Sequence, residues 1–376
     1  MDRTTELELI RRALARLEDG ACDRGDAEEV SPVARYLDPA RFAREQETLF
    51  ATIPQPVAHA RELAEPGDFV TLELGGAPIL LTRRADGQVG AFLNVCRHRG
   101  TTLVAEARGR RKRFACPYHA WTYDLDGALV GVRHPDGFPT LPKADHGLAP
   151  VPCEERHGLV WVARRGAIDV AAHLGDALDR ELATLGLDRL EPFRPDRRVW
   201  RANWKLLVEG GLEAYHFTIA HAKTIARLFT DNVFLADAFG RHSRLVLVKK
   251  SLAELAGADE STWSLRAHAN VLYSLFPNGA LLVQPDHVAW IAFRPLAIDE
   301  TEVAITMLVP PGPRSESEER HWEKNHALTL PTLAEDFAIG ESIQRSLRSG
   351  ANDVLRFGRY EHLLGAFHRA LDDAMR

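Results

Sequence analysis

Eight side chains stand out for their chemistry. Cys96 and His98 lie in NVCRHRG, Cys116 and His119 in CPYHAW, so the pattern reads C-x-H, seventeen residues, then C-x-x-H. Each short loop offers one thiolate and one imidazole, and two such loops can converge on a metal centre. Zinc accepts a set of two cysteines and two histidines, but a zinc finger pairs its cysteines in one segment and its histidines on a helix. Further on, EGGLEAYHFTIAH, residues 209–221, puts two glycines, two carboxylates and two histidines into a run otherwise suited to a buried helix. A glycine inside a helix costs about 1 kcal/mol relative to alanine, and unpaired buried charge costs more. The segment therefore requires something that compensates.

On a helix Glu209, Glu213 and His216 fall at i, i+4 and i+7, one polar line on an apolar cylinder. His221 leaves that line, because five residues correspond to about 140° of net rotation. Both imidazoles reach one ion only where the helix ends or bulges, and Gly210, Gly211 and Thr218 favour such an irregularity. Two histidines and one carboxylate, with positions left open, form the ligand set of a mononuclear ferrous oxygenase site. The carboxylate is sought in PTLAEDFAIGESIQRSL. There Asp336, Ile339, Ile343 and Leu347 share one helical face, so Asp336 is expected to point inward. Glu335 aligns with Ser342 and Ser346 on a wetter face. The predicted ligands are His216, His221 and Asp336; by spacing alone the two histidines also read as hydrogen-bonded core residues.

These groups need elements to hold them. Residues 66–165 read as mainly β, in FVTLEL, PILLTR, QVGAFLNV and LVWVARR, punctuated by Gly-Gly, Asp-Gly and Pro. Helices are expected at 171–187 and 203–222, strands from 243 to 309, then a helix over 316–350 interrupted at Pro331 and another over 361–373. Leu7, Ile10, Leu14 and Leu17 recur at helical spacing, so the N-terminal segment reads as a helix that docks on its neighbour. The change from strand-rich to mixed pattern near 165–170 suggests segments 1–45, 46–166 and 167–376. The 376 residues carry a formal net charge of −6 with pI about 6.3, which argues against nucleic acid as the main partner. No apolar run approaches the ~18 residues of a membrane span, and the first twenty residues lack the apolar core of a signal peptide. Four cysteines, Cys22, Cys96, Cys116 and Cys153, suggest a reducing cytoplasm and no disulfide framework.

The two ligand loops, with Arg97, Arg99, Gly100, Pro117, Tyr118, Trp121 and the following YDLDG, resemble those of a Rieske 2Fe–2S centre, in which two cysteines hold one iron and two histidines the other. PGD at 66–68, NWK at 203–205, the acid-x-x-His-x4-His pattern, and ED at 335–336 followed by ES-x-Q resemble the α subunits of Rieske non-haem iron oxygenases, the aromatic ring-hydroxylating dioxygenases. The likeness runs from about residue 36 to the C-terminal helix. Respiratory Rieske proteins have an extra cysteine in each loop where this chain has Thr101 and Tyr118, so the resemblance is to the oxygenase branch. Ala120 stands where that family more often has glycine.

The resemblance implies an α+β fold: a small all-β Rieske domain (46–166) before a larger START-like catalytic domain of helices and antiparallel sheet (167–376), on which the N-terminal helical segment packs. It implies a 2Fe–2S cluster on Cys96, His98, Cys116 and His119, and a mononuclear ferrous ion on His216, His221 and Asp336. It implies a homo-oligomer, usually a trimer, in which Glu213 bridges an iron histidine to His119 of the adjacent subunit; many members have Asp at that place. Electrons come from NAD(P)H through a reductase, with or without a ferredoxin, and dioxygen is the co-substrate. The expected activity is hydroxylation or dihydroxylation of an aromatic or similar small organic molecule, the alternative being a monooxygenase or N-demethylase of a quaternary ammonium compound. An electron-transfer or ligand-binding protein with the cluster but no mononuclear iron is the reading from a different class. The basic run RGRRKR, 108–113, reads as a solvated turn or a docking point for an acidic electron donor. Trp263, Tyr273, Phe276, Trp290 and Phe293 alternate as core residues of strands, with some available to line a pocket.

Overall fold

Alternation along one strand explains how the front half divides its interior. The computed structural model describes all of Met1–Arg376 and separates into two compact units, Gln46–His173 and Met1–Glu45 with Leu174–Arg376. In the first, Asp68–Leu74 and Ala77–Arg83 pair antiparallel, flanked by Arg108–Arg110 and Val89–Leu93. Successive side chains point to opposite faces. Val70, Leu72, Ile79 and Leu81 therefore join Val160 and Val162 in one cluster, while Phe69 and Leu80 join Phe92, Phe114, Trp121 and Tyr123 in another. The second cluster contains Cys96 and Cys116. The basic run is an edge strand and loop rather than a turn. Arg108, Arg110 and Arg111 pair with Glu62, Asp68 and Glu106, the form in which an edge strand carries charge.

In the other unit a seven-stranded antiparallel sheet runs, in spatial order, Glu191–Trp200, Glu300–Val309, Val288–Ala297, Gly279–Val283, Ala269–Leu275, His242–Lys249, Phe229–Phe239. The central five match the apolar runs between 243 and 309. The two edges were not expected. EPFRPDRRVW carries two prolines and charges that are tolerated only where one side of the strand is free. In Phe229–Phe239 the register is broken between Phe229 and Phe234. The helix Arg3–Asp19, capped by Asp2 and ended by Gly20, buries Leu9, Ile10 and Ala13.

Two helical expectations are corrected. Glu316–Leu347 is one helix that continues through Pro331. A mid-helix proline costs about 3 kcal/mol, but both flanks are anchored. Trp322 packs with Phe193, Met307 and Val309 on one side; Phe337, Gly340, Gln344 and Leu347 are buried on the other. At Gly340 a Cβ would lie 2.6 Å from Leu207 Cδ2, so the glycine is what lets this helix approach Trp204–Glu209. The buried face is thus Phe337, Gly340, Gln344 and Leu347, and Ile339 is 43% exposed. The predicted helix over 203–222 is two pieces, Trp204–Glu209 and Phe217–Ala220, broken at Gly210–Gly211.

Candidate metal centres

In the first unit the two ligand loops repeat one local design. Cys96 N–H donates to Thr101 O and Gly100 N–H to Cys96 O; Cys116 N–H donates to Trp121 O and Ala120 N–H to Cys116 O. Gly100 and Ala120, each four residues after its cysteine, both lie in the left-handed region, at φ 78° and 59°. That is why glycine suits position 120, and the alanine there costs about 1–2 kcal/mol. Cys96 and Cys116 are buried, whereas His98 and His119 are half-buried with ring centroids 4.7 Å apart. Trp121 stacks on His98 at 4.8 Å. Tyr123 Oη lies 3.5 Å from Cys96 Sγ and accepts from Arg97 N–H at 2.9 Å. Burial pushes the Cys116 thiol up, and burial with the hydrogen bond to Cys96 does the same to Tyr123. His119 Nδ1 is buried without a partner. Two inward thiols and an orphaned inward imidazole nitrogen form a donor set that suits a cluster held by two cysteines and two histidines.

In the second unit Asn203 caps Trp204–Glu209, its side chain accepting from Lys205 N–H at 3.1 Å. After Gly210–Gly211 the chain turns back, so Glu209, Glu213 and His216 are not one line. Glu209 accepts instead from Tyr36 Oη at 2.8 Å and pairs with His368 Nε2 at 2.9 Å. Glu213 receives the backbone N–H groups of Tyr215 and His216 and faces His216 Nδ1. His216 then opens, and His221 closes, the single turn Phe217–Ala220, which brings their ring centroids to 5.3 Å.

Asp336 completes the group. Its Oδ1 lies 3.4 Å from His216 Nε2 and 3.1 Å from His221 Nε2, and the three donor atoms lie within 4.8 Å of one another. Despite these approaches, Asp336 Oδ1 is buried and receives no well-directed hydrogen bond. The other ring nitrogens are occupied. His221 Nδ1 donates to Glu335 Oε2 at 2.9 Å, and Glu335 also accepts from Thr224 Oγ1 at 2.7 Å. A carboxylate only accepts, so Glu213 and Glu335 hold each proton on Nδ1 and turn each Nε2 lone pair inward. Burial opposes charge on His216, but the adjacent Asp336 and Glu213 carboxylates outweigh it and push its pKa up to about 10. His221 is raised by the same balance. Asp336 is lowered, its burial outweighed by the two imidazoles. The carboxylate charge that retains protons here is what a divalent cation would neutralise in their place, and two imidazoles with one buried carboxylate are a donor set that fits such a metal.

Glu335 is the residue that sequence reasoning missed. Its alignment with Ser342 and Ser346 marked a wetter face, and both serines are exposed, but the Glu335 side chain, 25% exposed, reaches back to His221. The available signal was the adjacent acid pair, since two residues differing by about 100° on one helix can grip one imidazole from front and back. Two cavities meet the triad. The larger, about 470 Å³, is lined by His216 and Asp336, by Glu209, Glu213 and Glu361, and by Arg356. The smaller, about 80 Å³, is lined by His221 and apolar side chains including Phe217, Phe293 and Phe337.

Residues 187–376 match the family model for the ring hydroxylating alpha subunit (catalytic domain), which is half of the chain. The chain belongs to that family. In this ring-hydroxylating α-subunit chain, residues 53–142 also match the Rieske [2Fe-2S] domain, so the family carries both a Rieske cluster and a mononuclear iron to this sequence. The glycine betaine monooxygenase oxygenase subunit of Chromohalobacter salexigens is 34% identical over 52% of this chain and 44% of its own length. The toluate 1,2-dioxygenase subunit alpha of Pseudomonas putida is 27% identical over 86% of this chain and 81% of its own. The matches span about half the length of the glycine betaine relative and of a carnitine monooxygenase relative, 44% and 57%. A crystal structure of a quaternary ammonium Rieske monooxygenase in complex with an inhibitor superposes with TM-score 0.81 at 24% identity, over 92% of this chain and 95% of that one, and shows the fold. No helix is long and apolar enough to cross a membrane.

Proposed function

We propose that this ring-hydroxylating α subunit is the terminal oxygenase of a multicomponent system, with Cys96, His98, Cys116 and His119 holding the 2Fe–2S cluster and His216, His221 and Asp336 holding ferrous iron. The observation that carries the reading is the convergence of two Nε2 atoms on a buried, unpartnered Asp336 Oδ1, while Glu213 and Glu335 occupy both Nδ1 atoms. Bound iron would supply dioxygen activation, using electrons from a reductase, with or without a ferredoxin. The chain's own residues do the rest. Glu213 and Glu335 fix the imidazole orientation, Asp336 neutralises charge, and Phe217, Phe293 and Phe337 keep water from the apolar cavity beside His221. His119, with Nδ1 inward, presents its Nε2 outward, where Glu213 of an adjacent copy in a trimer would receive it and relay an electron to His216.

The preferred substrate is a small apolar-bodied molecule that is hydroxylated or dihydroxylated. A second reading, N-demethylation of a quaternary ammonium compound, is favoured by the excess of acidic over basic residues lining the larger cavity and by the names of the glycine betaine and carnitine relatives. Iron analysis with substrate-dependent oxygen uptake tests the proposal. About three irons per chain are expected, two in the cluster and one at the triad. About two irons, with no uptake across a panel of aromatics and methylated amines, would reduce the protein to an electron carrier. Formaldehyde release would select the second reading.

A further inference from the structure

Gly210 and Gly211 sit in the segment that carries two of the metal ligands, where glycine is the poorest choice after proline for a helical backbone. Neither is there for its conformation. Gly210 has φ −57° and ψ −26°, ordinary right-handed values, and neither glycine lies in the left-handed region. The turn they make is closed by regular backbone hydrogen bonds, Gly211 N–H to Val208 O at 3.0 Å and Leu212 N–H to Glu209 O at 2.9 Å. Nor is either needed for close approach, as Gly340 is. A Cβ at Gly210 would meet Asp336 Cβ at 3.8 Å, an ordinary contact. One at Gly211 would meet the end of the Leu272 side chain at 3.3 Å and Val208 O at 3.4 Å, so that the leucine end need give by only a few tenths of an ångström.

What the missing side chains leave is room on either side of the triad. Gly210 lines the larger cavity with His216 and Asp336, and Gly211 lines the smaller one with His221. The smaller cavity has none to spare. Its volume, about 80 Å³, is roughly half that of an apolar cavity of about 150 Å³ that takes up benzene. Phe217, Leu272, Phe293 and Phe337 are among its walls, with Asn270 and Ser274 on the sheet side. A side chain at 211, and the Leu272 end it displaces, would both draw on this space. We infer that Gly211 is a specificity-determining residue: its lack of a side chain sets how large an apolar group, a methyl or the edge of a ring, can lie beside His221. The inference rests on the proposed metal triad and adds to it what limits the size of the substrate.

The test uses the iron-loaded full-length chain with xenon as the probe, located by anomalous scattering in pressurised crystals, because xenon enters dry apolar cavities whatever the substrate is. The wild type is expected to hold xenon beside His221, Gly211→Ala to hold less and Gly211→Leu none, while Gly210→Ala, on the other side of the triad, leaves that site unchanged. With the substrate found by oxygen uptake, Gly211→Ala should lower kcat/KM about ten-fold or more, the scale of one methylene in an apolar pocket. Gly210→Ala should melt no lower than the wild type and up to about 3 °C higher, since alanine accepts the same backbone and restricts the unfolded chain. No xenon beside His221 in the wild type, xenon retained in Gly211→Leu, kcat/KM within about two-fold in Gly211→Ala, or a lowered melting temperature in Gly210→Ala would each overturn the inference. The wild type and the alanine variants decide it even where Gly211→Leu does not fold. Iron analysis separates the two claims. About three irons with kcat/KM unmoved in Gly211→Ala leaves the oxygenase reading intact and removes Gly211. About two irons and no oxygen uptake remove that reading, while loss of xenon in Gly211→Leu keeps Gly211 as the residue that sizes the cavity.

Discussion

Replacing Glu335 by Ala isolates the part of the site that lies outside the metal ligands. Glu335 Oε2 accepts from His221 Nδ1 at 2.9 Å and from Thr224 Oγ1 at 2.7 Å, and His221 is 1% exposed. Without the carboxylate, the Nδ1–H is left buried and unpaired, a loss of about 1–3 kcal/mol. The imidazole also becomes a weaker donor and is free to rotate. Loss of a carboxylate behind a metal-binding histidine typically lowers metal affinity about 10–100-fold, and the two scales agree because ten-fold is about 1.4 kcal/mol. Glu335→Gln should fall less, about three- to ten-fold, since its amide oxygen still accepts from Nδ1–H. The assay is a chelator competition with ferrous ion, or with cobaltous ion as a coloured substitute, on protein stripped of the mononuclear metal. The visible absorption of the cluster serves as control and should not move. Wild-type metal affinity in Glu335→Ala would refute the reasoning, as would Glu335→Gln losing more than Glu335→Ala.

Three further outcomes follow from the same geometry. Glu213→Gln keeps an acceptor for the Nδ1–H of His216 but removes the charge of the proposed bridge, so metal and cluster contents should hold while single-turnover reoxidation of the cluster slows by at least about ten-fold; an unchanged rate would remove Glu213 from the electron path. Gly340→Leu would force a side chain against Leu207, whose Cδ2 already lies 2.6 Å from an added Cβ; overpacking of this kind costs about 1–3 kcal/mol, read as a lowered melting temperature. Asp372, paired with Arg35 at 2.6 Å and Arg41 at 2.9 Å, has a folded pKa lowered from its ordinary value, the arginines outweighing burial. Its contribution to stability is therefore present above the ordinary aspartate pKa of about 3.9 and lost as pH falls through the lower folded value. Asp372→Asn should flatten the acid limb of the stability curve between about pH 4 and 2, measured by denaturant midpoint at each pH.

Much of the fold was legible because its signals are local. The central strands between 243 and 309 are apolar runs long enough to be buried on a sheet, and their turns carry the expected residues. The family was legible from CRHRG, CPYHAW and NWK, since ligands donated by a short loop must be close in sequence. The edge strands Glu191–Trp200 and Phe229–Phe239 were not, because an edge needs no continuous apolar run and tolerates Pro195 and charge. Pro331 reads as a helix break in isolation, yet burial of Trp322 and Phe337 on either side holds the helix through it. Propensity was overridden by packing.

What the sequence by itself determined is the chemistry on offer: two thiols, the imidazoles and the carboxylates, each delivered by a recognisable motif. Which carboxylate does what was decided only in three dimensions. Glu209, Glu213, Glu335 and Asp336 are four acids within two short segments, and helical phase alone put Glu209 in line with His216 and Glu335 on a wetter face. The break at Gly210–Gly211 takes His216 off the helical line of Glu209, which stays in its helix and meets Tyr36 and His368, and the close approach at Gly340 brings Glu335 behind His221 and Asp336 in front of it. Spacing along the chain sets which residues can be neighbours on one helix. Contacts across helices depend on where each helix ends and how near its partner can come, and both are settled by packing.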